Sequence, residues 1–330
     1  MKSVTMEERD ITVICATYNR AQSLKRMLDA LVRQNYNRLK WKLIVVDNNS
    51  TDHTQEVLKS YLDKLPLQIL FEPKQGKSQA VNQAFGHLEG WLVVTIDDDI
   101  EPFDDWLEQM VRVAKEKPEY DIFCGYIEPF WEVQPPEWVL KWPHHGIVFA
   151  VNPELEEGEI PPVWVTGGNA AYRRKAMEGL SYGGGELGPS AGNQKFPMGE
   201  DVAFSLKIVN RGGKAYYTKD TKVRHCIPSE RIEEAWILGR AERYGRGTPY
   251  VRPEWFEGKS LFLGMPVTTL VKYVTLKLLH PFIYALPQSK RRYDLLWKLN
   301  MSKGILHTMM KVNKGKGLIS RFQPVSDFLD

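Results

Sequence analysis

The stretch LVVTIDDD, residues 92–99, decides the fold. Five apolar or β-branched residues run without alternation into three carboxylates, and Pro102 follows shortly after. A near-continuous apolar run suits a strand buried on both faces of a parallel sheet. Three adjacent acids repel one another, so a strand end that gathers them calls for a compensating cation. Alternation along the strand would turn Asp97 and Asp99 toward one ligand and Asp98 away from it. Hard oxygen donors suit Mg²⁺ or Mn²⁺, which share a few carboxylates with substrate phosphates. The same three acids also read as a solvated turn capping the next helix.

Working toward the N-terminus, ITVICAT (11–17), LIVVD (43–47) and LQILF (67–71) are runs of the same kind. Helical stripes separate them: Leu24, Met27, Leu28 and Leu31; then Val57, Leu58, Tyr61 and Leu62; then Ala80, Val81, Ala84, Phe85 and Leu88, stopped by Gly90. Strand–helix repetition predicts an α/β sheet with right-handed crossovers. In such sheets ligands bind beyond the carboxyl ends of the strands. There the sequence places TYNR (17–20), DNNS (47–50) and the three aspartates.

Toward the C-terminus a helix is expected near 106–115. A Trp- and Pro-rich stretch (131–143) and a Gly-rich stretch (181–197) follow. A second helix–strand passage comes next, with a helix at 199–210 and short strands at 215–218 and 223–227. GGGELG, residues 183–188, formally matches a dinucleotide-binding glycine pattern. No strand pattern precedes it and GPSAG cannot start the required helix, so it reads as a loop able to close over a ligand.

Several stretches, in order, resemble family 2 glycosyltransferases of the GT-A fold: VICATYNR (13–20), LIVVDNNSTDHT (43–54), GKSQAVNQA (76–84), VTIDDD (94–99), GGNAAYR (167–173), GEDVAF (199–204) and a late His225. The resemblance spans roughly residues 11–227. It implies a Rossmann-like mixed sheet with helices on both faces, a nucleotide-sugar donor, UDP-linked, and inverting transfer to a saccharide or lipid-linked hydroxyl. By the same resemblance Thr17, Tyr18, Arg20, Asp47, Asn49 and Lys77 line the nucleotide pocket, with Asp97 and Asp98 beside them. Asp99, Asp97 and His225 become ligands of Mn²⁺ or Mg²⁺. Asp201 becomes the general base, supported by Glu200, and Gly167, Gly168, Asn169 and Trp164 approach the sugar or the acceptor.

Each assignment has a plainer reading beside it. Asn49 and Ser50 suit a turn before a helix N-cap, Glu200-Asp201 suit any helix N-terminus, and Lys77 suits a solvated surface. A lone strand histidine is commonly a core residue. Trp131, Trp138, Trp142 and Trp164 suit ordinary packing as well as sugar stacking. A sugar-nucleotide nucleotidyltransferase shares the sheet and the acids, but TYNR is not its Gly-rich phosphate loop. A non-catalytic nucleotide- or carbohydrate-binding relative is the remaining alternative.

Bulk composition is ordinary, with 43% apolar and 26% charged residues and a net charge of +3. The charge is unevenly spread. Residues 259–321 hold twelve Lys/Arg against Asp294 alone, leaving the rest of the chain eight charges negative. A boundary near Gly258 is therefore expected, dividing a catalytic domain (1–258) from a basic, partly apolar helical region (259–330). Residues 261–286 are apolar but broken by Lys272, Lys277, His280 and two prolines, a poor transmembrane span. An interfacial helix on an anionic membrane surface fits that stretch, as does a soluble appendage. Three scattered cysteines suit a reducing compartment, and residues 1–12 show no apolar signal segment. A cytoplasmic protein, peripheral on the inner face of the cell membrane, is expected. No nucleic-acid module is recognisable, and the sequence sets no oligomeric state.

Overall fold

A computed structural model describes residues 9–314 except 143, 154, 185, 191, 193 and 194, together with the backbone of 319–321. In chain order the N-terminal elements are β1 (Ile11–Thr17), α1 (Ala21–Val32), β2 (Trp41–Asp47), α2 (Thr54–Lys59), β3 (Leu67–Phe71), α3 (Lys77–Phe85), β4 (Leu92–Ile96), β5 (Ile100–Pro102), α4 (Trp106–Glu116) and β6 (Ile122–Trp131). Next come α5 (Glu137–Leu140), α6 (His145–Phe149), β7 (Gly158–Ile160), β8 (Asn169–Arg173), α7 (Arg174–Met177), α8 (Glu200–Val209) and β9 (Ala215–Ile227). The last are α9 (Glu234–Val251), β10 (Ser260–Phe262), β11 (Met265–Pro266), α10 (Val267–Leu278), α11 (His280–Ala285), α12 (Lys290–Val312) and β12 (Ile319–Arg321).

The chain forms two compact, interleaved units. The first takes residues 1–130, 150–182 and 204–226, and the second takes 131–149, 183–203 and 227–330. The boundary expected near Gly258 falls inside the second unit. Charge changes there, but packing does not.

The first unit is built on a sheet of order β3-β2-β1-β4-β8-β6-β9-β5, with β7 also paired to β9. Helices flank it on both sides. β3, β2, β1 and β4 run parallel, whereas β8 is antiparallel to β4 and to β6. The apolar runs of β1 and β4 are buried as the sequence predicts. β3 departs from that expectation because it is the edge strand, half-buried with Phe71 exposed. The two short strands expected after residue 215 are one 13-residue strand, β9.

Register aligns the carboxyl ends of the parallel strands: Thr17 pairs with Asp47, and Asp47 with Phe71. The turn before β4 depends on Gly90, whose φ is +76°. A Cβ there would lie 2.4 Å from the Asp10 carbonyl oxygen, so a side chain would push β1 and β4 apart. Under the sheet, Phe204 of α8 packs against Phe85, Tyr172 and Tyr182 with centroids 5.8, 5.0 and 5.3 Å away. Truncating so buried a ring would cost about 4 kcal/mol.

The second unit centres on α9 and α12, which touch backbone to backbone. A Cβ on Gly245 would lie 2.1 Å from the Met301 carbonyl oxygen, and one on Gly304 would lie 2.1 Å from that of Glu242. Trp138 stacks on Tyr293 at 3.5 Å, and the buried Trp142 donates its indole N–H to Asp294 Oδ1 at 2.7 Å. Trp131 meets Phe149 edge-on at 4.9 Å. These three tryptophans are thus held in packing contacts within the second unit.

Residues 261–286 form no single interfacial helix. Two short strands precede α10 and α11, and Pro281 begins a new helical turn. Among the described residues no helix is long and apolar enough to cross a membrane. The glycine pattern at 183–188 has no strand before it, and α8 starts only at Glu200. Gly185 and part of the loop read as a closing segment lie outside the described residues.

Candidate active site

Three loops meet at the carboxyl end of the parallel strands, and side-chain hydrogen bonds lock them. Asn19 and Asn49 adopt positive φ, 51° and 67°, a conformation asparagine tolerates well. Ser50 Oγ accepts from the Asn19 N–H at 2.9 Å, and Asn19 Oδ1 accepts from the Thr51 N–H at 2.7 Å. Asp52 accepts from the Ala21 N–H at 3.1 Å and so satisfies an orphan donor at the start of α1.

Asp47 is wholly buried. Its Oδ1 accepts from the Ser50 N–H at 3.0 Å and its Oδ2 from the Gln55 amide. The carboxylate expected to contact the nucleotide thus braces its own loop in this structure. Asn48, which carries no assignment in the sequence reading, proves central. Its amide donates to the carbonyls of Glu72 and Lys74 at 3.0 and 2.9 Å, and its Oδ1 accepts from the Gly76 N–H at 2.7 Å. It thereby fixes the approach to α3 and the position of Lys77. Only its place after the second strand hinted at this.

The aspartates follow β4 in a turn, so strand alternation does not govern them. Asp97 Oδ1 pairs with Lys77 Nζ at 2.7 Å. Asp98, expected to point elsewhere, shares a guanidinium with Asp99: Arg20 Nη1 lies 3.1 Å from Asp98 Oδ1 and 2.7 Å from Asp99 Oδ2. Thr17 Oγ1 donates to Asp98 Oδ2 at 2.8 Å. Burial pushes Asp98 up to about 6, with Arg20 opposing that shift and the Asp99 charge adding to it. Asp98 and then burial act oppositely on Arg20, and the neighbouring acids win, raising it further above its usual value. Each acid therefore has a cation, although Arg20 keeps 42% of its side chain exposed. Tyr18 presents an exposed ring beside them.

β5 brings the late histidine to this cluster. Ile100 is paired with His225, and the Cys226 N–H donates to the Asp99 carbonyl at 3.0 Å. The buried His225 places Nε2 3.6 Å from Asp99 Oδ2. Gly168, just before β8, borders the triad: a Cβ there would lie 3.2 Å from Asp97 Oδ2. Gly167 is likewise buried, and Trp164 is 49% exposed on the preceding turn.

Asn169 corrects an expectation. It is fully buried, donates to the Tyr126 and Thr221 carbonyls at 3.1 and 2.9 Å, and accepts from the Trp106 indole at 2.8 Å. Its amide holds the sheet together and offers nothing to a sugar.

Glu200 and Asp201 belong to the second unit, at the start of α8. Glu200 Oε2 accepts from the Gly199 N–H at 3.3 Å, and Asp201 Oδ1 accepts from the Val202 N–H at 2.8 Å. Gly188, at φ +91°, would place a Cβ 3.3 Å from the Glu200 side chain. The glycine-rich segment thus passes directly over that acid.

No group of three or more His, Cys, Asp or Glu gathers around a cation position among the described residues. The donor set nonetheless fits a cation completed by substrate. Asp99 and His225 supply one hard oxygen and one imidazole nitrogen, and Mg²⁺ or Mn²⁺ takes few protein ligands when phosphates fill its shell.

The sequence profile of glycosyl transferase family 2 matches residues 12–180, which hold the loops, the triad and β8. The chain belongs to that family. Among curated relatives, glycosyltransferase AglE of Haloferax volcanii is 33% identical over 103 residues, 31% of this chain and 34% of that protein. The poly(ribitol-phosphate) β-N-acetylglucosaminyltransferase TarS of Staphylococcus aureus is 31% identical over 90 residues, 27% of this chain and 16% of that one. The matches thus span about a third or less of these relatives. Residues 1–349 of S. aureus TarS, solved with UDP-GlcNAc, superpose with a TM-score of 0.52 at 18% identity, covering 96% of this chain and 95% of that one. The mannosyltransferase PcManGT of Pyrobaculum calidifontis, solved with GDP-Man and Mn²⁺, gives 0.56 at 18%, covering 93% and 88%. At that identity the likeness establishes the fold: the GT-A architecture.

Proposed function

We propose that the chain is an inverting glycosyltransferase that moves a sugar from a nucleotide-sugar, UDP-linked, to a hydroxyl of a saccharide or lipid-linked acceptor. The observation that carries this reading is the triad at the end of β4, bracketed by Lys77, Arg20 and His225 and bordered by Gly168. The complexes of TarS with UDP-GlcNAc and of PcManGT with GDP-Man and Mn²⁺ support it. Lys77 and Arg20 would meet the diphosphate, and the exposed Tyr18 would offer an aromatic face to the base. Gly167 and Gly168 let a sugar approach the backbone closely, and the exposed Trp164 offers it a stacking surface. Asp99 and His225, with Asp97, would hold a divalent cation, whose charge stabilises the departing nucleoside diphosphate.

Asp201 is the group that takes the proton from the acceptor hydroxyl as it attacks, and Glu200 supports it. Asp201→Asn tests the assignment. Transfer should fall by about 1,000-fold while donor affinity stays the same. Unchanged transfer would reject Asp201 as the base.

The protein further docks on an anionic bilayer. Val267, Val271, Val274 and Leu278 form one exposed stripe on α10, continued by Leu279 and by Phe282, which is 72% exposed. Lys272 and Lys277 stand exposed on the same helix and Lys290 and Arg291 at the start of α12, which suits anionic headgroups. Leu278→Ser with Phe282→Ser should weaken binding to phosphatidylserine vesicles by about 100-fold. Equal binding of wild type to neutral and anionic vesicles would reject the docking surface.

A further inference from the structure

We infer that β3 is an association edge: it pairs antiparallel with β3 of a second copy of this chain, about a two-fold axis at Gln68, and joins two sheets into one. The inference lies wholly in the first unit and is independent of the proposed function.

β3 ends the sheet on one side, with β2 as its strand partner among the described residues. The Leu43 N–H donates to the Pro66 carbonyl at 2.9 Å, and the Glu72 N–H donates to the Asp47 carbonyl at 2.9 Å. In the parallel ladder between those two bonds the even-numbered residues of β3 face β2. Leu67, Ile69 and Phe71 therefore turn their N–H and C=O groups outward. The Gln83 side-chain amide covers one of these, donating to the Phe71 carbonyl at 2.9 Å. Among the described residues nothing covers Leu67 or Ile69 in the same way.

Proteins usually spoil an open edge with charge, proline, a bulge or brevity. Two other outer strands of this sheet follow that rule. β5 (IEP) and β7 (GEI) have three residues each, and carry Glu101 with Pro102 and Glu159 respectively. β3 has five, and residues 65–71, LPLQILF, hold no charge. Pro66 does not blunt the edge, because its missing N–H would point to β2. Such an edge accepts another strand by main-chain pairing.

The residues around the edge favour a second copy and fix its register. About Gln68, Leu67 of each copy faces Ile69 of the other, and the two exchange both backbone hydrogen bonds. Exposed Lys64 then comes opposite Glu72, an unlike pair that the symmetry makes twice. The exposed Phe71 comes to the turn that holds the exposed Leu62 in the second copy. A register about Ile69 would instead set Leu67 against Phe71, whose carbonyl Gln83 already holds, and Lys64 against Lys74. Charge and hydrogen bonding both select Gln68. The contact is isologous and consumes the edge, so it closes at two copies.

Sedimentation of the full chain over about 0.1–100 µM tests the inference, with hydrogen exchange at Leu67 and Ile69 as a second readout. Wild type should pass from monomer to dimer as concentration rises, and both amides should gain protection with the dimer. Gln68→Lys and Gln68→Glu each set like charges on the two-fold axis and should weaken self-association at least about 100-fold. An equimolar mixture of the two variants should restore the dimer, because unlike charges then meet there, which also shows that both variants fold. Wild type that stays monomeric throughout overturns the proposal. Protection of both amides in the monomer overturns it too, because a segment of the same chain would then hold the edge. A dimer that neither substitution weakens places association on another surface and likewise overturns it.

Discussion

Among the described residues each unit carries a dense ion cluster, and these two are balanced in opposite ways. In the first, three aspartates share Lys77 and a half-exposed Arg20, so acid exceeds base where three loops open to solvent. In the second, the buried Glu242 is matched by Arg246 and Lys303 between two helices whose backbones touch. A closed pair with surplus base and little access holds a fold together. An acid-rich cluster at strand ends, with exposed arginine and tyrosine side chains beside it, has charge left over for a ligand. The surplus separates a structural cluster from the one proposed to bind the donor.

Glu242→Gln attacks the structural cluster and should have the largest effect, about 3 kcal/mol of lost stability in chemical denaturation. Activity per folded molecule should be unchanged. Burial raises the Glu242 carboxyl, but the hydrogen bonds from Lys303 and Arg246 outweigh it and leave a net depression. Its contribution is therefore present above the unfolded glutamate value and lost as pH falls through the lower folded value. Wild type should lose stability across that acid window more steeply than Glu242→Gln. Parallel acid curves would show that the cluster is not structural.

Arg20→Met attacks the proposed binding cluster. Nucleotide-sugar turnover should fall by about 100-fold, with a stability change below about 1 kcal/mol because the guanidinium is partly exposed. If stability collapses instead, the two clusters are of one kind. Gly304→Ala would force a methyl group against the Glu242 carbonyl and should cost about 2 kcal/mol in thermal melting. The smallest effect is expected of Gly168→Ala, whose methyl group would press on Asp97 from 3.2 Å. Turnover should drop about tenfold with melting unchanged, since under the proposed function a small displacement of Asp97 costs rate before stability.

The parallel half of the sheet was legible because β1, β2 and β4 are buried runs that end in polar clusters. The antiparallel half was not. Asn169–Arg173 and Ile122–Trp131 carry glycine, proline and polar residues whose pairing is decided by partners about fifty residues away. The triad was legible as a cluster, but its internal wiring was not. Thr17 and Asp98 are 81 positions apart, and only folding reveals that Arg20 bridges Asp98 to Asp99. Asn169 was misjudged because a buried structural amide and a sugar contact look alike in sequence. The charge change at 258 suggested a boundary, whereas the glycine contacts joining α9 to α12 put both sides of it in one packed body.

Under the proposed function the acids after β4 hold a nucleotide-sugar diphosphate with a divalent cation. Release of nucleoside diphosphate from a panel of nucleotide-sugars, with Mn²⁺ and with EDTA, tests it in wild type and Asp99→Asn. Mn²⁺-dependent release is expected from at least one donor, reduced by about 1,000-fold in the variant. Release that is indifferent to both EDTA and the substitution, or no release from any donor, would contradict it.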